Sequence, residues 1–185
     1  ANHFEDIQKI LLDSGAALAG FADMAAVPDK DRRGMPGAVS IAAALNPAIV
    51  SRITKGPTQE YFGETGGHNA LLSALAHRAA VLLKERDFEA VALEPMTEEF
   101  DEVRLGAGLS HKIAATLSGT GWIGRNALVI TKPFGSAVWL TTALTDAPLE
   151  TGMPVDESQC GSCAACVESC PWTRKYIKRA ARRKL

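Results

Sequence analysis

Every cysteine of the chain falls in one stretch, CGSCAACVESCPW at residues 160–172, spaced C-x2-C-x2-C-x3-C and closed by proline. Gaps of two residues let a short loop wrap its thiols around one centre. Adjacent loops of two residues give poor disulfide geometry. Zinc sites pair two C-x2-C units across a longer spacer, so three cysteines at successive two-residue gaps suit zinc badly. The spacing is that of thiolate loops around a cubane iron-sulfur cluster. Cys160, Cys163, Cys166 and Cys170 are therefore the candidate metal ligands.

In such runs the first three cysteines hold one cluster and the fourth ligates another. Cys160, Cys163 and Cys166 are then one ligand short, and Cys170 points to a second cluster, while the sequence offers no fifth cysteine. The expectation is a pair of 4Fe-4S clusters in a complete protein with further residues after Pro171 and beyond Leu185.

The rest of the chain reads as a soluble globular protein. No apolar run approaches the roughly 18 residues of a membrane span. The start, ANHFEDIQKILLDSG, lacks the basic, apolar and small-residue sections of a secretory signal. The expected location is cytoplasmic, with no membrane partner. Charge is uneven: of 20 Lys and Arg, seven lie in the last thirteen residues, TRKYIKRAARRKL, which carry no acid. They read first as a solvated helix whose positive charges suit its own C-terminus; no aromatic platform or recognised binding module accompanies them, so nucleic acid is set aside, and a redox donor protein is the protein partner expected.

Hydrophobic periodicity gives alternating elements. Phe4, Ile7, Ile10 and Leu11 share one face of a helix ended by Gly15. ALAGFAD and AVSIAAAL read as buried strands, and HNALLSALAHRAAVLLKERD as the strongest helix, with His68 at its start as a cap. FEAVALEP reads as a strand and SHKIAATLSG as a helix, while NALVITKPFGSAVWLTTALTD suggests two strands joined around Pro133 and Gly135. The fold class expected is α/β, or α+β, a mixed-sheet sandwich. Residues 1–150 form that domain and 151–185 an iron-sulfur appendage.

The stretch SHKIAATLSGTGWIGRNALVITKPFGSAVWLTTALTDAPLE at 110–150, with the cysteine run after it, resembles the epoxyqueuosine reductase-like iron-sulfur proteins, relatives of the cobalamin-dependent reductive dehalogenases. SGAALAGFAD, AVSIAAAL and GPTQEY extend the likeness upstream. The resemblance implies a nitroreductase-like domain, a ferredoxin-like double 4Fe-4S module and a cobalamin. It also places a catalytic aspartate seventeen residues before Trp122, where this chain has Leu105. The helical-repeat region with which those reductases hold tRNA has no counterpart in the sequence.

The lettering G-x-G-x-x-G at Gly119, Gly121 and Gly124 follows a helix and precedes a strand, the reverse of a dinucleotide site. Gly121 instead reads as a turn that lets a bulky partner approach. His111, Lys112, Arg125 and Asn126 flank that turn and, with Gly121, are the candidate cofactor-binding residues. Tyr61 is the candidate catalytic proton donor, a role open to a phenol near a nucleophilic centre. The acidic run Glu98, Glu99, Phe100, Asp101, Glu102 reads as a solvated face. The functional expectation is an iron-sulfur oxidoreductase passing single electrons to a bound cofactor or small substrate. A non-catalytic electron-transfer or corrinoid-binding module is the alternative, and a pocket beside the cysteine loop discriminates between them.

Overall fold

The computed structural model of the chain describes residues 4–54, 56–96 and 108–170. In chain order the elements are α1 (Glu5–Asp13), β1 (Leu18–Asp23), α2 (Asp29–Arg32), β2 (Gly37–Ala44), α3 (Pro47–Val50), α4 (Gln59–Lys84) and β3 (Ala90–Leu93). They continue with α5 (His111–Leu117), β4 (Trp122–Ile123), β5 (Val129–Ile130), β6 (Val138–Thr145) and α6 (Ala165–Ser169).

Four strands form the main sheet in the order β1-β2-β6-β3. The α/β expectation is met, but all three pairings are antiparallel, where the sequence suggested a mixed sheet. Alternation of side chains across the pleat gives the sheet two apolar faces. Phe21, Val39, Ile41 and Ala143 meet α1 and α4 through Ile7, Leu11, Leu72, Leu75 and Leu83. Ala22, Ala38 and Leu144 meet Ala114 of α5 together with Met24 and Val27. The three layers are thus two helices, the sheet, and a thinner layer built on α5.

Helix α4 has 26 residues, about 39 Å at 1.5 Å per residue, longer than the roughly 27 Å of an eight-residue strand such as β2. It begins nine residues before the segment read as helical, because Thr58 caps it, its hydroxyl accepting from the Tyr61 N–H at 3.2 Å. His68 is therefore inside the helix rather than at its start, where its Nε2 lies 3.0 Å from the Ala44 carbonyl oxygen. Buried residues cluster from Leu72 onward, with only Thr65 before them, so the first turns overhang the sheet. Nothing in the structure explains glycine at positions 63, 66 and 67, where an added Cβ would meet no atom.

Beyond α5 the chain makes a two-stranded ribbon, β4 against β5, with Trp122 opposite Ile130. The two strands expected around Pro133 and Gly135 exist, but β5 pairs with β4, not with β6. Only a single bridge, Thr131 with Gly135, marks the expected turn. The segment after β6 returns across β1 and the end of α5: the Gly152 N–H donates to the Phe21 carbonyl (2.9 Å) and the Val155 N–H to that of Thr116 (3.0 Å). A Cβ on Gly152 would lie 2.2 Å from the Ser118 carbonyl oxygen, so only glycine allows this crossing. Among the described residues no helix is long and apolar enough to cross a membrane.

Candidate functional site

The crossing at Gly152 delivers the chain to the cysteines. A turn closes from the Cys163 N–H to the Cys160 carbonyl at 3.0 Å, with Gly161 at φ +54°. Cys166 follows in the first turn of α6, and Cys170 ends that helix. No disulfide joins the four cysteines; Cys163 and Cys166 are exposed and the outer pair half-buried.

This loop rests on the turn from α5 into the ribbon. Arg125 Nη2 donates to the Gly161 carbonyl at 2.7 Å. Three further donors surround the Cys160 thiol and push its pKa down: the Ser158 hydroxyl most, then the Arg125 backbone N–H and the Trp122 indole N–H. Desolvation opposes them, and the Arg125 charge adds to them. The Trp122 indole nitrogen is buried and has no hydrogen-bond partner of good geometry. One cysteine of the four is thus held in a thiolate-favouring setting.

The candidate cofactor residues do not converge on one pocket. A cavity of about 550 Å³ lies between the edge strand β1, the Ser118–Trp122 turn, Lys132, Gly152 and Gln159, the neighbour of Cys160. Of the candidates only Gly121 lines it. A Cβ on Gly121 would sit 2.5 Å from the Ile130 carbonyl oxygen, so the residue is also demanded by packing of the ribbon. His111 and Lys112 line a separate cavity of about 220 Å³ with Ser136 and Trp139.

His111 is occupied in holding α5 to the sheet. Its Nε2 donates to the Glu94 carbonyl at 2.9 Å and its Nδ1 accepts from the Thr142 hydroxyl at 3.0 Å, the neutral tautomer that satisfies both. Burial pushes its pKa down, with the Glu94 bond a smaller opposing influence. Lys112 Nζ donates to the Ala127 carbonyl at 2.8 Å, tying α5 to the ribbon turn. Asn126 closes that turn, its side-chain oxygen accepting from the Leu128 N–H at 3.1 Å. Tyr61, at the start of α4, stacks edgewise on Phe62 and lines neither cavity. Leu105 and the acidic run 98–102 lie outside the described residues, as do residues 171–185.

The donor chemistry fits an iron-sulfur cluster: four thiols on one short segment, one of them beside N–H and O–H donors. Among the described residues no three His, Cys, Asp or Glu side chains stand close enough to hold a metal, so ligation requires the thiols to draw together. The cobalamin implied by resemblance fits less well. The larger cavity suits a small molecule rather than a corrinoid with its nucleotide tail, and both nitrogens of His111 are engaged. Sequence reasoning missed Trp122, Ser158, Lys132 and Gln159. Only Trp122 carried a signal, an indole placed directly after the glycine turn.

No protein-family model matches the chain. It is 30% identical over 181 residues to an epoxyqueuosine reductase of Bacillus anthracis, covering 92% of this chain and 46% of that protein. A Pseudomonas aeruginosa epoxyqueuosine reductase is 38% identical over 65 residues, 35% of this chain and 18% of the relative. The chain spans about half the length of the first of these. Among solved structures, epoxyqueuosine reductase from Streptococcus thermophilus superposes with a TM-score of 0.62 at 21% identity, covering 94% of this chain and 53% of that one. An epoxyqueuosine reductase with a tRNA stem loop gives 0.63 at 20% identity, covering 90% and 51%. A catabolic reductive dehalogenase gives 0.73 at 16% identity, covering 91% and 25%. The tRNA stem loop held by one neighbour runs against setting nucleic acid aside as a partner. In sequence the chain is epoxyqueuosine reductase-like, and it shares its fold with those enzymes and with the reductive dehalogenases.

Proposed function

We propose that the chain is the electron-delivering part of an iron-sulfur reductase, in which Cys160, Cys163, Cys166 and Cys170 ligate 4Fe-4S clusters beside a substrate cavity. The observation that carries this reading is the seating of the cysteine loop on the Trp122–Arg125 turn, whose other side walls the 550 Å³ cavity. A filled interior beside the loop would have favoured a carrier without turnover. A bound cluster would supply single electrons; the cobalamin of a dehalogenase described as B12-dependent is not assigned to this cavity, which does not suit a corrinoid.

The chain's own residues have definable tasks. Arg125 fixes the first turn of the loop through Gly161, and its charge favours the anionic form of an adjacent thiolate-bound group. Gly121 and Gly152 let the ribbon and the returning chain pack closely enough to put Gln159 and Trp122 in the cavity wall. Lys132 supplies the cavity with one cation, set against the carboxylates of Glu5 and Glu150 in the same wall. His111, Lys112 and Asn126 hold the wall in place. No step is assigned to Tyr61. The division at about residue 150, with the cysteine segment as a small appendage, belongs to this proposal.

The relatives' name and the neighbour's tRNA stem loop support a nucleoside in tRNA as the substrate class, and the basic 173–185 segment suits an anionic backbone. Leu105 stands against direct transfer of the reductase reaction, because a hydrophobe cannot donate the proton assigned to the family's aspartate. The experiment is anaerobic reconstitution with iron and sulfide, followed by dithionite reduction and binding of a tRNA stem loop. Cluster absorption with tRNA binding supports the reading. A protein that takes up no iron and sulfide overturns it.

A further inference from the structure

Strand β1 is an edge of the main sheet, and its register decides which of its main-chain groups meet the 550 Å³ cavity. In an antiparallel pair, successive residues turn their N–H and C=O alternately toward and away from the neighbouring strand. The carbonyls of Ala19 and Phe21 accept from outside the sheet, from Gln8 Nε2 at 2.6 Å and from the Gly152 N–H at 2.9 Å. The N–H groups of the same two residues therefore also face away from β2, and among the described residues neither has an acceptor. The side chains of Ala19 and Phe21 are buried in the core against α1 and α4, so these residues reach the cavity wall through their main chain. With both carbonyls capped, what remains on this edge is a pair of donors roughly 6–7 Å apart, two residue steps along a strand. Hydroxyls elsewhere in the wall are already engaged: Thr120 donates to the Ala115 carbonyl at 2.8 Å and lies 2.6 Å from the Ser118 hydroxyl.

We propose that the outer edge of β1 recognises a neutral nucleobase in this cavity, the Ala19 and Phe21 N–H groups meeting its carbonyl and ring-nitrogen acceptors. This rests on the nucleoside reading above and deepens it by naming the groups that bind the base. The ligand class follows from what the wall offers. An added peptide strand needs acceptors as well as donors along the edge, and Gln8 and Gly152 have taken them. An anion would meet two carboxylates, Glu5 and Glu150, against the single ammonium of Lys132. A base carries acceptors for the two N–H groups and amino hydrogens for a carboxylate, the pairing by which acidic side chains read amino-bearing bases. Glu150 is the carboxylate assigned to that contact, because it is exposed and stands two residues before the Gly152 bond to Phe21.

Amide hydrogen exchange of the full chain tests this, with the common ribonucleosides as probes and benzoate as an anionic ring for comparison. Without a probe, the Ala19 and Phe21 amides should exchange faster than those of Gly20 and Ala22, which face β2. A bound nucleoside should protect Ala19 and Phe21, and benzoate should leave them unchanged. Ala19→Pro deletes one donor at an outward-facing edge position, where proline is tolerated. It should weaken nucleoside binding about two- to tenfold, the worth of one hydrogen bond. Glu150→Gln, on an exposed side chain, leaves the fold intact and should also weaken binding. Amides that no nucleoside protects, or that benzoate protects equally, overturn the base edge, and so does nucleoside binding unchanged in Glu150→Gln and Ala19→Pro. A chain that takes up no iron and sulfide yet protects both amides with a nucleoside loses the reductase reading and keeps the base edge. A chain that loads a cluster while its amides ignore every nucleoside loses the base edge alone.

Discussion

At residue scale, His111 shows how a candidate ligand becomes a structural tie. The sequence exposed a histidine and a lysine before a glycine turn, the right types for a pocket, but not that their polar atoms would be used by the Glu94 carbonyl, the Thr142 hydroxyl and the Ala127 carbonyl. Those partners lie 15 to 31 positions away in the chain, beyond any local pattern. Because burial holds the folded pKa of His111 below its ordinary value near 6.5, the unfolded chain binds the extra proton first as pH falls. Stability from this group is complete above about pH 6.5 and declines below it toward the folded pKa. Thermal melts from pH 8 to pH 5 should show that decline in the parent and a shallower one in His111→Asn. The variant should be about 1–2 kcal/mol less stable at pH 8 for its lost hydrogen bonds. Arg125→Ala, on an exposed side chain, should leave melting within about 0.5 kcal/mol while reconstituted protein loses iron faster, since the tether to Gly161 is gone. Iron retention equal to the parent would show that the tether is incidental.

At element scale, the periodic elements were legible because each presents an apolar face to one sheet. Phe4, Ile7 and Leu11 mark α1, and the leucines and alanines from Leu72 to Leu83 mark the packed part of α4. What was not legible depends on pairing at a distance. The ribbon of β4 and β5 is two residues per strand and fixed by contacts of Gly121 and Gly124 with Ile130, which no local propensity encodes. The early start of α4 rests on one capping threonine ahead of a glycine-rich turn that reads as a breaker. Gly121→Val forces a side chain into the Ile130 carbonyl, and about 1–3 kcal/mol of stability should be lost to overpacking. Leu83→Ala, which empties a fully buried site between α4 and the sheet, should cost about 2–5 kcal/mol. Chemical denaturation of both variants checks these values. A Gly121→Val chain as stable as the parent would mean the ribbon is not packed as described.

At the scale of the whole molecule, the α5 side of the sheet carries the turn and the cysteine loop, α1 and α4 bury the opposite face, and the 550 Å³ cavity lies at the β1 edge between the turn and α1. The cysteine spacing carries the chemistry proposed for the loop, while its docking through Arg125 is visible only in the fold. The central claim is that this loop ligates iron-sulfur rather than zinc or nothing, and native mass spectrometry of the anaerobically purified protein tests it most directly. The account predicts iron and inorganic sulfide in equal numbers, removed together by acid and both diminished in Cys160→Ala. Stoichiometric zinc without sulfide, or a metal-free chain under the same conditions, would contradict it.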